Sequence, residues 1–140
     1  MPRADFYLID KPRFREDPLL LVCELARRAC ASEQPTLIFA RSQDQAEAID
    51  AKLWEFDEDA FVPHQIAGDD DDALTPVLIV PPGVDAGDRP LAINLRDVPA
   101  LGLHERVLEV VAADPGERSG SRERWRAYQQ RGYALTKHDM

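Results

Sequence analysis

Short, almost wholly apolar runs alternate with helix-like segments along this chain, and that alternation most constrains its fold. The runs are rich in strand-forming residues and lie at residues 6–9, 36–40, 77–80, 91–95 and 107–111. A strand that is apolar on both sides needs cover on both faces, as in parallel sheets joined by right-handed helical crossovers. The pattern therefore predicts an α/β fold, a Rossmann-like three-layer sandwich with a mainly parallel sheet and helices on both faces.

Local signals place the helices between these runs. Asp17 suits an N-cap and Pro18 the first turn of a helix that extends to about residue 30. Ser42 and Gln45 have the spacing of a capping box and open a second helix. A short helix is predicted at residues 98–105, and a long one from about residue 117. At 140 residues, the chain is predicted to form a single domain over residues 1–140.

The sequence lacks the usual signatures of a nucleotide, metal or catalytic site. The first strand leads into Asp10-Lys11-Pro12, with no glycine to form a phosphate-binding loop, and neither standard glycine-rich nucleotide motif occurs elsewhere. The three histidines and two cysteines lack zinc-site spacing, and the cysteines are expected to be buried free thiols. The aspartates at 69–72 do not alternate as calcium ligands do and predict a solvated loop. We therefore expect no catalytic residue, no cofactor and no metal.

The C-terminal helix carries a basic charge in an otherwise acidic chain. The net charge is −9, yet residues 116–140 contain six basic and three acidic side chains. On a helix Arg122 and Arg126 share one face, while Trp125 and Tyr128 share a neighbouring one. Guanidinium groups pair with carboxylates, and aromatic side chains can wall an apolar pocket, so these four residues are candidates for binding an acidic peptide. The same spacing also fits an amphipathic helix with its aromatics in the core and its arginines solvated.

A second aromatic stretch lies between the second helix and the middle of the chain. Trp54 and Phe61, with Val62 and Pro63, form either an exposed interface or a seal on the edge of the sheet. The N-terminus has no signal-peptide core, and no run is long enough to span a membrane, so we expect a soluble, intracellular protein.

Several strings together resemble the chi subunit of bacterial DNA polymerase III. They are residues 6–10, Leu53-Trp54, residues 61–64, and residues 122–128 with Gly132-Tyr133. The resemblance covers essentially the whole chain. It implies a non-enzymatic accessory subunit in DNA replication, with a Rossmann-like fold and no nucleotide site. Such a subunit links the clamp loader, through psi, to the acidic C-terminal tail of single-stranded-DNA-binding protein.

The resemblance also implies roles for individual residues. Arg122, Trp125 and Arg126 would bind the tail, whereas Trp54 and Phe61 would mark the surface that faces psi and, in the family, a repair-associated helicase. DNA would be reached only indirectly, in the bacterial cytoplasm and without a membrane.

The residues taken alone leave two other functions open. One is a degenerate α/β enzyme that clamps a small anion with Arg122 and Arg126 beside His64 and an acid. The other is direct binding of single-stranded DNA through the arginines and aromatics.

Overall fold

A single seven-stranded sheet forms the centre of the computed structural model, which describes residues 2–55 and 62–140. Every strand pair within the described residues is parallel. The strand order is β3-β4-β2-β5-β6-β1-β7. The strands are β1 Arg3–Leu8, β2 Thr36–Phe39, β3 His64–Ile66, β4 Val77–Val80, β5 Leu91–Asn94, β6 Arg106–Val111 and β7 Ala134–Asp139.

Helices cover both faces of this sheet. They are α1 Pro12–Glu16, α2 Pro18–Ala31, α3 Gln43–Glu55 and α4 Pro115–Gln130, with a short 3₁₀ turn at Asp72–Leu74. The first three helices share one apolar core with the sheet, to which they contribute Phe14, Leu21 and Ile49. Helix α4 packs on the other face, where Tyr128 meets Ala4 and Phe6. The predicted parallel α/β sandwich is confirmed.

The burial of the inner strands explains why they are recognisable in the sequence. All four residues of β4 and all four of β5 are buried. Strands enclosed on both faces are predominantly apolar, which is the pattern that predicts them, and the buried Asn94 at the end of β5 is a polar exception. The edge strand β7 is largely exposed and polar, and neither β7 nor the three-residue β3 was predicted.

The predicted helix at residues 98–105 is wrong, because that stretch is an irregular loop. The loop follows β5 and lies against α4 through side chains rather than helical hydrogen bonds. The backbone N–H of Ala100 donates to the Tyr128 hydroxyl at 2.8 Å, and Arg131 donates to the Ala100 carbonyl at 3.1 Å. Apolar residues in this stretch such as Leu101 point outwards, and Leu101 is 73% exposed.

The order of the last elements places α4 over the first strand. The chain leaves β6, forms α4 and returns as β7, while β1 lies between those two strands. Asp114 caps the helix, since its carboxylate accepts the N–H of Gly116 at 2.7 Å, and Pro115 occupies the first turn. Among the described residues, no helix combines the length and apolar character that crossing a bilayer requires.

Candidate functional site

A buried polar network holds the inner face of α4 against the sheet. Glu109 of β6 is completely buried and accepts hydrogen bonds from three side chains. Arg124 Nε donates to its Oε1 at 2.7 Å, while the Tyr128 hydroxyl and Asn94 Nδ2 donate to its Oε2 at 2.7 and 2.6 Å. Burial raises the pKa of Glu109, and the charge of Arg124 opposes that rise. The network determines which side of α4 faces inwards.

The opposite side of α4 is therefore presented to solvent. Arg122 and Arg126 are exposed, one helical turn apart. Trp125 lies between the two sides and is partly buried, with its ring centroid 5.1 Å from that of Phe6. The indole and the Phe6 ring together form an apolar surface next to the two arginines.

These side chains line a groove of about 510 Å³ between α4 and the strands β1 and β7. Helix α4 supplies one wall, and the outer part of the sheet supplies the floor and the other wall. The lining residues are Phe6, Leu8, Arg118, Ser121, Arg122, Trp125, Arg126 and Lys137. A groove of this size can hold a few residues of an extended peptide or a small ligand.

The groove is positively charged in a chain of net charge −9. Within the described part of the chain, none of its four cations pairs with a carboxylate. Arg118 is tied to the fold through one nitrogen, which donates to the Ile9 carbonyl at 2.7 Å. Its Nε is buried and, among the residues that the structure describes, has no hydrogen-bond partner. The groove thus offers cationic donors beside an apolar surface, an arrangement that suits a ligand with carboxylates and one apolar group.

Of the four residues predicted to bind a peptide, three lie together in the groove and the fourth is buried beneath it. Arg122, Trp125 and Arg126 line the same groove. Tyr128 has no exposed surface and lies beneath the groove, so the expectation that it contacts a peptide is corrected. Its hydroxyl joins Glu109 to the backbone of Ala100, a supporting role.

Sequence reasoning missed the other groove residues for different reasons. Arg118 lies four positions before Arg122, so helical spacing could have placed it on the same side. Phe6 and Leu8 read as ordinary strand residues. Lys137 belongs to β7, a strand with no clear signal in the sequence.

The second predicted surface is only partly as expected. Trp54 is 60% exposed at the end of α3, with its ring centroid 5.0 Å from that of His64. Val62 is 2% exposed and belongs to the core, so its place in an interface is corrected. Pro63 is partly buried. Phe61 lies outside the described residues.

Around His64, the described residues do not form the pocket that a small-anion enzyme would require. The His64 side chain is only 1% exposed and begins β3, at the amino end of that strand. Its Nδ1 bonds to the Val62 carbonyl at 2.6 Å, and its Nε2 lies 3.2 Å from Asp50. The cleft between Ile9, Arg41 and Leu95, at the carboxyl ends of strands, is about 190 Å³, below the usual range for ligand sites.

The acidic loop has internal partners. The carboxylate of Asp72 accepts the N–H of Gly68 at 2.9 Å and the Gln65 side-chain amide at 2.6 Å, and the Gly68 bond contributes most to lowering its pKa. Among the residues that the structure describes, no group of three or more histidine, cysteine or acidic side chains is placed to hold a metal.

Comparison with known proteins identifies relatives over nearly the whole chain. Residues 1–136 match the family described as DNA polymerase III chi subunit, HolC. The DNA polymerase III subunit chi of Pseudomonas aeruginosa is 34% identical over 148 residues, covering 100% of this chain and 98% of the relative. That of Escherichia coli strain K12 is 30% identical over 141 residues, with 96% of each chain covered.

Two solved structures share this fold at low sequence identity. The C-terminal domain of the DEAD-box protein Dbp5 aligns with 99% of this chain and 90% of its own, with a TM-score of 0.66 and 13% identity. T4 UvsW aligns with a TM-score of 0.67 at 8% identity, over 99% of this chain and 41% of its own. At such identities the likeness concerns the fold alone.

Proposed function

The chain belongs to the family of DNA polymerase III chi subunits, and from this membership we propose that it connects two partners during DNA replication. One is the acidic C-terminal tail of single-stranded-DNA-binding protein, and the other is the clamp loader, reached through a psi subunit. As a chi subunit the chain is a non-catalytic accessory part of the polymerase. Its place of action in this proposal is the bacterial cytoplasm.

The groove beside α4 is the observation that supports the tail-binding half of the proposal. Arg122 and Arg126 are exposed and, among the described residues, have no carboxylate partner. In this proposal they pair with the terminal carboxylate and aspartates of a tail. The Trp125 indole and the Phe6 ring offer an apolar surface for the last side chain of the tail. Charge would attract the tail, and the aromatic pair would select its end.

The charge distribution of the whole chain favours this orientation. An acidic peptide is repelled by most of a surface whose net charge is −9 and attracted where the cations concentrate. Exposed ion pairs contribute roughly 0.2–1 kcal/mol each, and the apolar contact adds to them. We therefore expect an affinity on the order of micromolar that weakens as salt is added. Weak attachment suits a subunit that releases and rebinds its partner as replication advances.

Trp54 supports the other half of the proposal. A tryptophan that is 60% exposed at the end of a helix is typical of a residue buried on binding another protein. We propose that Trp54, together with Phe61 and Pro63, belongs to the psi-facing surface, which a repair helicase would also use. Val62 would support that surface from the core.

Titration of a labelled Asp-Asp-Asp-Ile-Pro-Phe peptide tests the tail site. Fluorescence anisotropy at low and high salt should show binding by the wild type and a loss of roughly 2- to 30-fold in the Arg122→Ala, Arg126→Ala double variant, as expected for two exposed ion pairs. The matched control is Arg27→Ala with Arg28→Ala, which removes the same charge from α2 on the other face of the sheet. Undiminished binding by the first double variant would refute the assignment. An oligonucleotide that displaces the peptide, and binds without any partner protein, would favour direct DNA binding instead.

A further inference from the structure

Lys137 lies on the opposite wall of the groove from the arginines of α4. It belongs to β7 and is paired with Phe6 in the parallel register of β1 and β7. Paired residues of neighbouring strands direct their side chains to the same face of a sheet. Lys137 therefore shares the α4 face with Phe6, whose ring packs against Trp125. A chain lying in the groove would have arginines on one side and this lysine on the other.

The ammonium of Lys137 has no acidic partner in the described part of the protein. Its neighbours along β7, Thr136 and His138, point to the other face, where His138 Nε2 lies 3.2 Å from Asp5. Asp139 shares the face of Lys137 and forms no ion pair within the described residues. Lys137 is exposed, so a bound ligand can reach it without moving any part of the fold.

The position of β7 at the edge of the sheet indicates how a bound peptide enters the groove. The N–H of Ala134 donates to Pro2 at 3.0 Å, and that of Met140 donates to Leu8 at 2.8 Å. Because a parallel strand alternates its bonding direction, the amides of residues 135, 137 and 139 point away from β1, towards the open edge. No strand in the described part of the protein lies beyond β7, so the groove is open on the side of Lys137. A peptide whose end is held against α4 would leave the groove past this lysine.

We propose that Lys137 is a specificity-determining residue, which recognises an acidic side chain upstream of the C-terminal carboxylate of the bound tail. This inference rests on the proposed function, since it concerns the same groove. It assigns the two walls different tasks. The helix wall binds the end of the peptide, and the strand wall distinguishes tails with an acid at the matching position from tails without one. A ligand with only a terminal carboxylate would occupy half of the site.

A double-mutant cycle between protein and peptide tests the inference. The Lys137→Gln variant keeps a long polar side chain, slightly shorter than that of lysine, and removes the charge. It should bind the acidic hexapeptide roughly two- to fivefold more weakly, as expected for one exposed ion pair, and with a smaller dependence on salt. Three further peptides replace one aspartate each by asparagine. For one of them, wild type and variant should bind equally.

The control is Arg28→Gln, which removes one positive charge from the other face of the sheet and should leave all four affinities unchanged. Thermal melting checks that both variants fold. Equal affinity of Lys137→Gln and wild type for the acidic hexapeptide would overturn the inference. An equal loss of affinity for every peptide would also overturn it, because it would indicate a general electrostatic attraction rather than recognition of one side chain. Failure of the wild type to bind any peptide would overturn the proposed function itself, an outcome distinct from an unresponsive Lys137→Gln.

Discussion

Replacing Glu109 with glutamine is expected to destabilise the fold by an amount that can be worked out from its contacts. All three neighbours of this carboxylate donate hydrogen bonds to it. A glutamine at position 109 has one acceptor and one donor, so its NH₂ group must face either Arg124 or the pair Tyr128 and Asn94. Arg124 is also 3% exposed and would lose its counter-charge in the interior.

Breaking a buried ion pair by removing one partner costs about 3–5 kcal/mol. A domain of this kind has a total stability of about 5–15 kcal/mol, so the loss is a large fraction of it. At roughly 4 °C per kcal/mol for this chain length, the melting temperature should fall by about 12–20 °C. Differential scanning calorimetry and urea titration of wild type and Glu109→Gln measure this directly.

The double variant Glu109→Gln, Arg124→Gln tests whether the unpaired charge of Arg124 causes the loss of stability. The amide oxygen of a glutamine is bonded to Cδ, so it can lie where the Nε of Arg124 lies. With glutamine at both positions, the oxygen at position 124 can accept a hydrogen bond from the NH₂ at position 109. The oxygen at position 109 still accepts hydrogen bonds from Tyr128 and Asn94. The double variant should recover most of the stability that Glu109→Gln loses. A melting temperature within 2–3 °C of wild type for Glu109→Gln, or losses that simply add in the double variant, would refute this account.

Two further outcomes follow from groups whose pKa the fold shifts. A hydrogen bond from Arg41, whose Nη2 lies 2.6 Å from Oε2, lowers the pKa of Glu117. A lowered folded-state pKa contributes stability above the unfolded value of about 4.3 and loses it as pH falls through the folded value. Glu117→Gln should therefore be less stable than wild type at pH 7, by up to about 1 kcal/mol in urea titration, and this deficit should shrink as pH falls below about 4.3; a deficit that stays constant would contradict this. Burial raises the pKa of Cys23 to about 12, so a thiol-specific reagent at pH 8 should modify at most one thiol per native chain and two in denaturant; fast reaction of both native thiols would contradict the burial of Cys23.

Much of the fold could be predicted because burial leaves a direct mark on composition. Strand β4 is enclosed on both faces and has only apolar residues, so its sequence indicates a buried strand. Strand β7 is held mainly by pairing with β1, because most of its side chains are exposed. At residues 98–105 the prediction failed in the opposite way, because a helix was predicted where the structure has a loop. Its apolar residues resemble helix spacing, yet Val98 and Leu101 are 58% and 73% exposed.

The candidate site, like the fold, could be predicted only in part from the sequence. Helical spacing placed Arg122 and Arg126 on one face, and both line the groove, since residues four apart on a helix are neighbours in any fold. Spacing could not say that Arg124 would be the arginine turned inwards. That outcome depends on Glu109, fifteen residues earlier on another strand. Nor could it show that Tyr128 would be fully buried while Trp125 stayed partly open.

By itself, the sequence determined the α/β class, the basic C-terminal helix and the family, because each depends on local composition or on strings of adjacent residues. The tertiary structure alone decided which face of α4 is exposed to solvent. It also decided that Lys137 of β7 lies across the groove from that face. The reason is that a buried charge is stable only beside its partner, and an edge strand is defined only by the strand it joins. Both conditions are met by residues far apart in the chain, so they become visible only when the sheet is assembled.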